Sequence, residues 1–398
     1  MFSGKLSAGN EILCNNSHMS QQNEASSGLP LLDQGLEALL ALLGEGWEAT
    51  KVESPGEQIY GSPEADDPLD QVVYLRNQSG TSAQLLVEAR ERIYPADVRR
   101  VLAPKLRLMR QVNSNSLPLL ISRWLSPRTR EVLEAARYNY LDLTGNVYLR
   151  VQSPVIVIQS TGAQRDPEPS STRTRLVGPV AGRLVRVLVD VAPPYRAGEL
   201  AEAADVSLAY VSRLLDVMER EALISRRQRL IVDIDWVGLL RSRAAEVQLI
   251  KGRNHRTMVA PGGLQKALDD LRMTTESNSF AVTGSFAAQV TAPVSVGGQL
   301  MLYTRNGFAQ RLAALLRLLP TDEGANVVLI EPEDQVVFDR VRAIDGLPYV
   351  ALSQLAIDLL SGPGRMPAEG EALLEYMIKN EHDWRAPSLS AQKSVPVL

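Results

Sequence analysis

The chain has almost no cysteine. Cys14 stands alone among 398 residues, so a disulfide framework is excluded and a cytoplasmic location fits. Histidine is nearly as scarce. His18, His255 and His382 are scattered, no Cys/His spacing resembles a zinc site, and no Ser-His-Asp or Cys-His arrangement can be assembled from them. No apolar run reaches the length that spans a bilayer, so no membrane association is expected. The first 28 residues are polar except for Ile12-Leu13-Cys14, which is too short for a secretory leader, and are expected to be a disordered tail. The glycine pairs Gly262-Gly263 and Gly297-Gly298 lack a following P-loop lysine. No cofactor and no bound metal are expected. Neither sign of charge dominates, with a formal net charge of −4, so any basic surplus has to be local.

What is present is enough chain for two or three domains, each with its own core. Residues 29–160 alternate helical and strand-like patterns and read as an α/β domain. It begins with a leucine-rich helix (Leu32, Leu36, Leu39, Leu40, Leu43), and a basic amphipathic helix follows over Pro95–Val112. Arg99, Arg100, Lys105, Arg107 and Arg110 of that helix are read as a solvated face. Residues 161–177, rich in Gly, Pro, Ser, Thr and Arg, read as a linker. Residues 178–251 form a predominantly helical segment, residues 257–385 a second α/β domain, and residues 386–398 a tail. Strands are expected in the second α/β domain at Phe280–Thr283, Gln299–Thr304, Asn326–Glu331 and Val336–Phe338.

The stretch Tyr195–Asp235 carries the sharpest pattern. Glu199–Ala204 is a short amphipathic helix, and Asp205-Val206-Ser207 a tight turn whose serine is placed to cap the next helix. From there Leu208, Val211, Leu214 or Leu215, and Met218 recur with helical period and are expected to be buried. Ser225-Arg226-Arg227-Gln228-Arg229 then forms a basic tip before the strand-like Leu230–Ile234, and an upstream helix at Pro179–Val191 completes a three-helix core. Between Arg173 and Arg229 there are ten arginines against seven acidic residues, a local excess of three.

This segment resembles the winged helix-turn-helix of bacterial transcription regulators. The resemblance implies that the helix after Ser207 enters the major groove of DNA. Ser207, Ala209, Tyr210, Ser212 and Arg213 would then touch base edges or the backbone, and Arg226, Arg227 and Arg229 would hold phosphate. Farther on, Gly346–Met377 (GLPYVALSQLAIDLLSGPGRMPAEGEALLEYM) resembles the C-terminal region of the AbiEi-type antitoxins of abortive-infection systems, which are type IV toxin–antitoxin proteins.

Both flanking domains carry echoes of nucleic-acid enzymes. The first resembles the restriction-endonuclease-like core, which holds Mg²⁺ between an Asp on one strand and an acidic-x-Lys on the next; the candidates are Asp70, Glu88 and Arg90. Arginine at the lysine position is too basic to shuttle a proton, so a domain without catalysis is expected. Asp142, beside the Gly145-Asn146 turn, is a further candidate ligand, but it reads more simply as part of a hairpin. In the last domain Val282–Ala288 resembles the Gly-Ser turn of nucleotidyltransferases. The next strand, Gln299–Thr304, carries no carboxylate to hold a metal, so the likeness is to the fold and not the chemistry.

The expected fold class is therefore multidomain α/β plus α: an α/β domain, a winged helix-turn-helix, and a degenerate nucleotidyltransferase-like α/β domain. The leading expectation is a non-enzymatic protein that binds double-stranded DNA, a transcriptional regulator of antitoxin-like type. A homodimer is expected if the target is palindromic. A metal-dependent DNA nuclease and an interaction scaffold for a toxin-like protein partner are the alternatives.

Overall fold

A computed structural model describes residues 30–52, 71–112, 117–168, 176–250, 254–292 and 298–392. The chain is a mixed α/β protein with three sheets among these residues, and it divides into two compact units, Met1–Ser170 and Ser171–Leu398. No helix among them is long and apolar enough to cross a membrane.

The first unit is built on a seven-stranded sheet in sequential order. Strands β1 (Trp47–Lys51), β2 (Gln71–Asn77) and β3 (Ser82–Arg90) form an antiparallel meander. β4 (Leu117–Ser122) and β5 (Asn139–Asp142) add in parallel to β3, and β6 (Val147–Val151) and β7 (Ile156–Ser160) return antiparallel. β4 is apolar from Leu117 to Ile121 because both its faces are covered. Leu119 and Ile121 face the cluster that includes helix α1 (Leu31–Leu43), and Leu120 faces the opposite cluster. Gly35 lets α1 lie this close, since a Cβ there would come within 2.3 Å of Ile121. The expected basic helix starts at α2 (Pro95–Asp97), widens into a π-helical turn at Val98–Leu102, and continues as α3 (Ala103–Val112). Helix α4 (Pro127–Ala135) is capped by the Ser126 hydroxyl.

The residues expected to start a linker belong instead to this unit. The amide of Asn146 donates to the carbonyl of Ala163, and Gly162 N–H donates to Asn146 Oδ1. A Cβ on Gly162 would lie 2.0 Å from the Thr144 carbonyl oxygen, so only glycine closes this seam.

The second unit opens with helix α5 (Gly178–Asp190), strand β8 (Tyr195–Arg196), helices α6 (Ala197–Ala204) and α7 (Leu208–Arg220), and the hairpin β9 (Ile224–Arg227) and β10 (Leu230–Ile234). The three strands form one small sheet in the order β8-β10-β9. Helix α8 (Trp236–Ala244) follows, shorter than a helix reaching Lys251.

Then comes a seven-stranded mixed sheet in the order β14-β11-β15-β13-β12-β17-β16. Its strands are β11 (His255–Val259), β12 (Phe280–Thr283), β13 (Leu300–Thr304), β14 (Leu319–Pro320), β15 (Val327–Ile330), β16 (Arg342–Ile344) and β17 (Leu347–Tyr349). Two parallel pairings, β13·β15 and β12·β17, lie among antiparallel ones. Val336–Phe338, expected as a strand, belongs to a single 3-10 turn (Gln335–Phe338), which the Asp334 carboxylate closes by accepting from Val336 N–H. Helices α9 (Leu264–Arg272), α10 (Gly284–Thr291) and α11 (Ala309–Leu315) lie between these strands in the chain, and α12 (Leu352–Leu360) packs against α5, α8, α10 and α13 (Met366–Lys379).

Residues 178–251 and 257–385, expected as separate domains, contribute to one hydrophobic core. Leu188, Leu214 and Trp236 share it with Leu302, Leu355 and Leu373. Trp236 and Trp384 meet edge to face, with ring centroids 5.1 Å apart. Residue 386 is no tail: its N–H donates to Asp190 O, and its carbonyl accepts from Ala192 N–H.

Candidate nucleic-acid interface

Helix α6 ends at Asp205, which adopts the left-handed conformation at φ 52°. Arg183 on α5 reaches the carbonyl of that residue at 3.2 Å and so fixes the turn. Ser207 then caps α7, its Oγ accepting from Tyr210 N–H. Val211, Leu214, Leu215 and Met218 are buried, as expected. Leu208 is not: it is 53% exposed, which corrects its assignment to the inner face. Ala209 and Arg213 are exposed, Ser212 is half-buried, and Tyr210 packs its ring against the core. The Arg213 guanidinium lies 6.0 Å from the centroid of the Tyr210 ring.

The hairpin turns at Gln228 (φ 57°) and Arg229, with Arg227 opposite Leu230. Arg227 and Arg229 are exposed at this tip. Arg226 is not free to hold phosphate. Its Nε donates to Glu219 at 3.0 Å and its Nη2 to Asp216 at 2.7 Å, two carboxylates of α7. The hydrogen bond to Glu219 leads the effects that raise its pKa further. Arg226 thus fastens the hairpin to the helix. Arg196, which was not among the expected contact residues, is exposed on β8 opposite Leu230 and adds a cation beside the turn end of the hairpin. Its signal is the two-residue strand preceding α6, too short for periodicity to reveal.

A buried polar network mounts this assembly on the C-terminal sheet. Arg186 of α5 donates to the Val336 carbonyl at 3.2 Å, the Asp339 carbonyl at 3.1 Å and Gln354 Oε1 at 3.0 Å, and its guanidinium faces Asp190 at 3.3 Å. Arg340 reaches the Asp190 carboxylate at 3.2 Å. Gln354 in turn donates to Asp358 at 2.8 Å, and Asp358 also accepts from Tyr303 Oη at 2.9 Å and Thr283 Oγ1 at 2.5 Å. Burial pushes the Asp358 carboxyl up to about 6, against the opposing pull of these donors and of Arg186. This carboxylate comes from α12 and is enclosed by hydroxyl and amide donors.

The candidate nuclease residues do not assemble into a metal site. Asp70 lies outside the described residues. Glu88 is buried at the end of β3, where Arg90 donates to one oxygen and the Lys105 ammonium lies 3.5 Å from the other. Two cations at the carboxylate stand where a divalent ion would need negative charge. Asp142 is saturated: it accepts from the backbone N–H of Leu125, Thr144 and Asn146 and from the side chains of Thr144 and Asn146. Its work is to hold the turn between β5 and β6. Among the described residues no group of three or more His, Cys, Asp or Glu is placed to hold a metal. Compared with known proteins, the chain matches no family model, no curated protein and no solved structure.

Proposed function

We propose that residues 178–234 are a winged helix-turn-helix that binds double-stranded DNA, with α7 in the major groove and the β9–β10 hairpin as the wing. The observation that carries this reading is the order helix, strand, helix, turn, helix, hairpin, closed by a three-stranded sheet. In that order the start of α7 projects free of the core, as recognition helices need. Exposed Ala209 and Arg213 and half-buried Ser212 face the groove; Arg196, Arg227 and Arg229 meet phosphates. Ser207 keeps its hydroxyl proton to donate to the backbone while its oxygen caps the helix. The resemblance of Gly346–Met377 to AbiEi-type antitoxins extends the proposal to a transcriptional regulator that represses its own operon.

Purified full-length chain should bind duplex DNA with an affinity that falls steeply as salt rises. Affinity that is flat between dilute and physiological salt rejects the proposal. The nuclease alternative finds no support at Glu88, whose carboxylate is held by Arg90 and Lys105.

A further inference from the structure

We propose that Leu208 reads the 5-methyl group of a thymine, making the chain selective for an A·T pair at a fixed place in its DNA site. The inference rests on the winged-helix reading above and deepens it. Leu208 is 53% exposed, whereas the other apolar positions of α7 (Val211, Leu214, Leu215 and Met218) are at most 1% exposed. It is the first residue of the helix, at the end that contacts base edges when such a helix lies in the major groove.

Its surroundings select the base. The neighbouring Ser207 oxygen is engaged by Tyr210 N–H, and Tyr210 itself packs inward. The leading surface is then two apolar side chains, Leu208 and Ala209, followed by Ser212 and Arg213 one turn on. No acidic residue lies in this first turn to accept from a cytosine amino group. In the major groove only thymine offers a methyl, and aliphatic side chains are its natural contacts. Arg213, steadied over the Tyr210 ring, suits the two acceptors of a guanine nearby.

The test begins with selection of a binding site from random duplexes by the full-length chain. Each thymine of the selected site is then replaced singly by deoxyuridine, which removes only the methyl. Native protein and Leu208→Ala are compared on every duplex. One methyl against a leucine corresponds to about a fourfold change in affinity. We expect one thymine whose replacement weakens the native protein about fourfold and leaves Leu208→Ala unchanged, the coupling a double-mutant cycle detects. Leu208→Met, which keeps an apolar side chain, should retain the methyl effect. Specific binding in which no thymine shows this coupling overturns the assignment of Leu208. Absence of duplex binding by the native chain overturns the winged-helix reading itself, and the inference with it.

Discussion

Arg226 and Glu219 are joined across the loop between α7 and the hairpin, Nε to Oε2 at 3.0 Å. The pair uses the first arginine of the basic run for internal structure and leaves Arg227 and Arg229 facing outward. The three arginines should therefore behave differently. Arg227→Ala and Arg229→Ala should each reduce the salt slope of DNA binding by about one. Arg226→Ala should leave the slope unchanged, and as a partly exposed pair its loss should cost stability by roughly 1 kcal/mol or less. Titration of each variant with duplex across a salt series separates the two roles.

Arg213 is the candidate for direct base recognition on α7. Arg213→Ala should weaken binding to the selected site by roughly 1–3 kcal/mol and relax preference at one base pair. Binding to unrelated duplex should fall far less. Competition between specific and random duplex measures the ratio.

Asp358 makes the stability of the second unit depend on pH. Its carboxyl is raised by burial to about 6, above its value in an unfolded chain, so the folded state favours the protonated acid. Its contribution is fully present below about pH 4 and is lost as pH rises through about 6. A shift of about two units corresponds to roughly 3 kcal/mol at neutral pH. Asp358→Asn removes this dependence. The stability difference between native protein and Asp358→Asn should therefore change in favour of the native protein as pH falls from 8 to 5. Urea unfolding at a series of pH values follows it.

Removal of Arg186 leaves Asp190 buried with Arg340 as its remaining cation, and strips Gln354 and two carbonyls of a donor. Arg186→Met should destabilise the second unit by about 3 kcal/mol. DNA binding should fall along with it, since α5 carries the turn before α7. Unfolding midpoints and duplex titration on one preparation check both.

Gly162→Ala should destabilise the first unit by roughly 2 kcal/mol, because the new methyl meets the Thr144 carbonyl and the seam has to open. Circular dichroism on heating reads the change.

Periodicity reveals α6 and α7 well, because each buries one stripe, whereas α5 is buried all round from Leu184 to Asp190. Val211, Leu214, Leu215 and Met218 are inside as their spacing says. Leu208 fits the same period and lies outside. A helical side chain leans toward the preceding turn, and the first residue of a helix has no such turn to lean on. The partners of Arg226 lie seven and ten residues back and across a loop, where no local rule places them. Arg186 sits within the buried run of α5, and apart from Asp190, four residues on, its partners stand 150 to 168 residues farther along the chain. The shared core of residues 178–251 and 257–385 escapes the sequence for the same reason: it is made by contacts between distant segments. Val336–Phe338 looks like a strand by composition, but one aspartate cap turns it into a 3-10 turn.

The clamp on α5 has a consequence for the order in which the protein is made. Arg186 waits for Val336, and the carbonyl of Leu188 for Arg385, which follow 150 and 197 residues later. At ordinary ribosomal speeds that interval is roughly 10–40 s. During it α5, α6 and α7 have emerged without the later segments that share their core. A nascent chain halted before residue 336 therefore carries all of residues 178–234 but none of the later partners that Arg186 and the Leu188 carbonyl find in the finished chain.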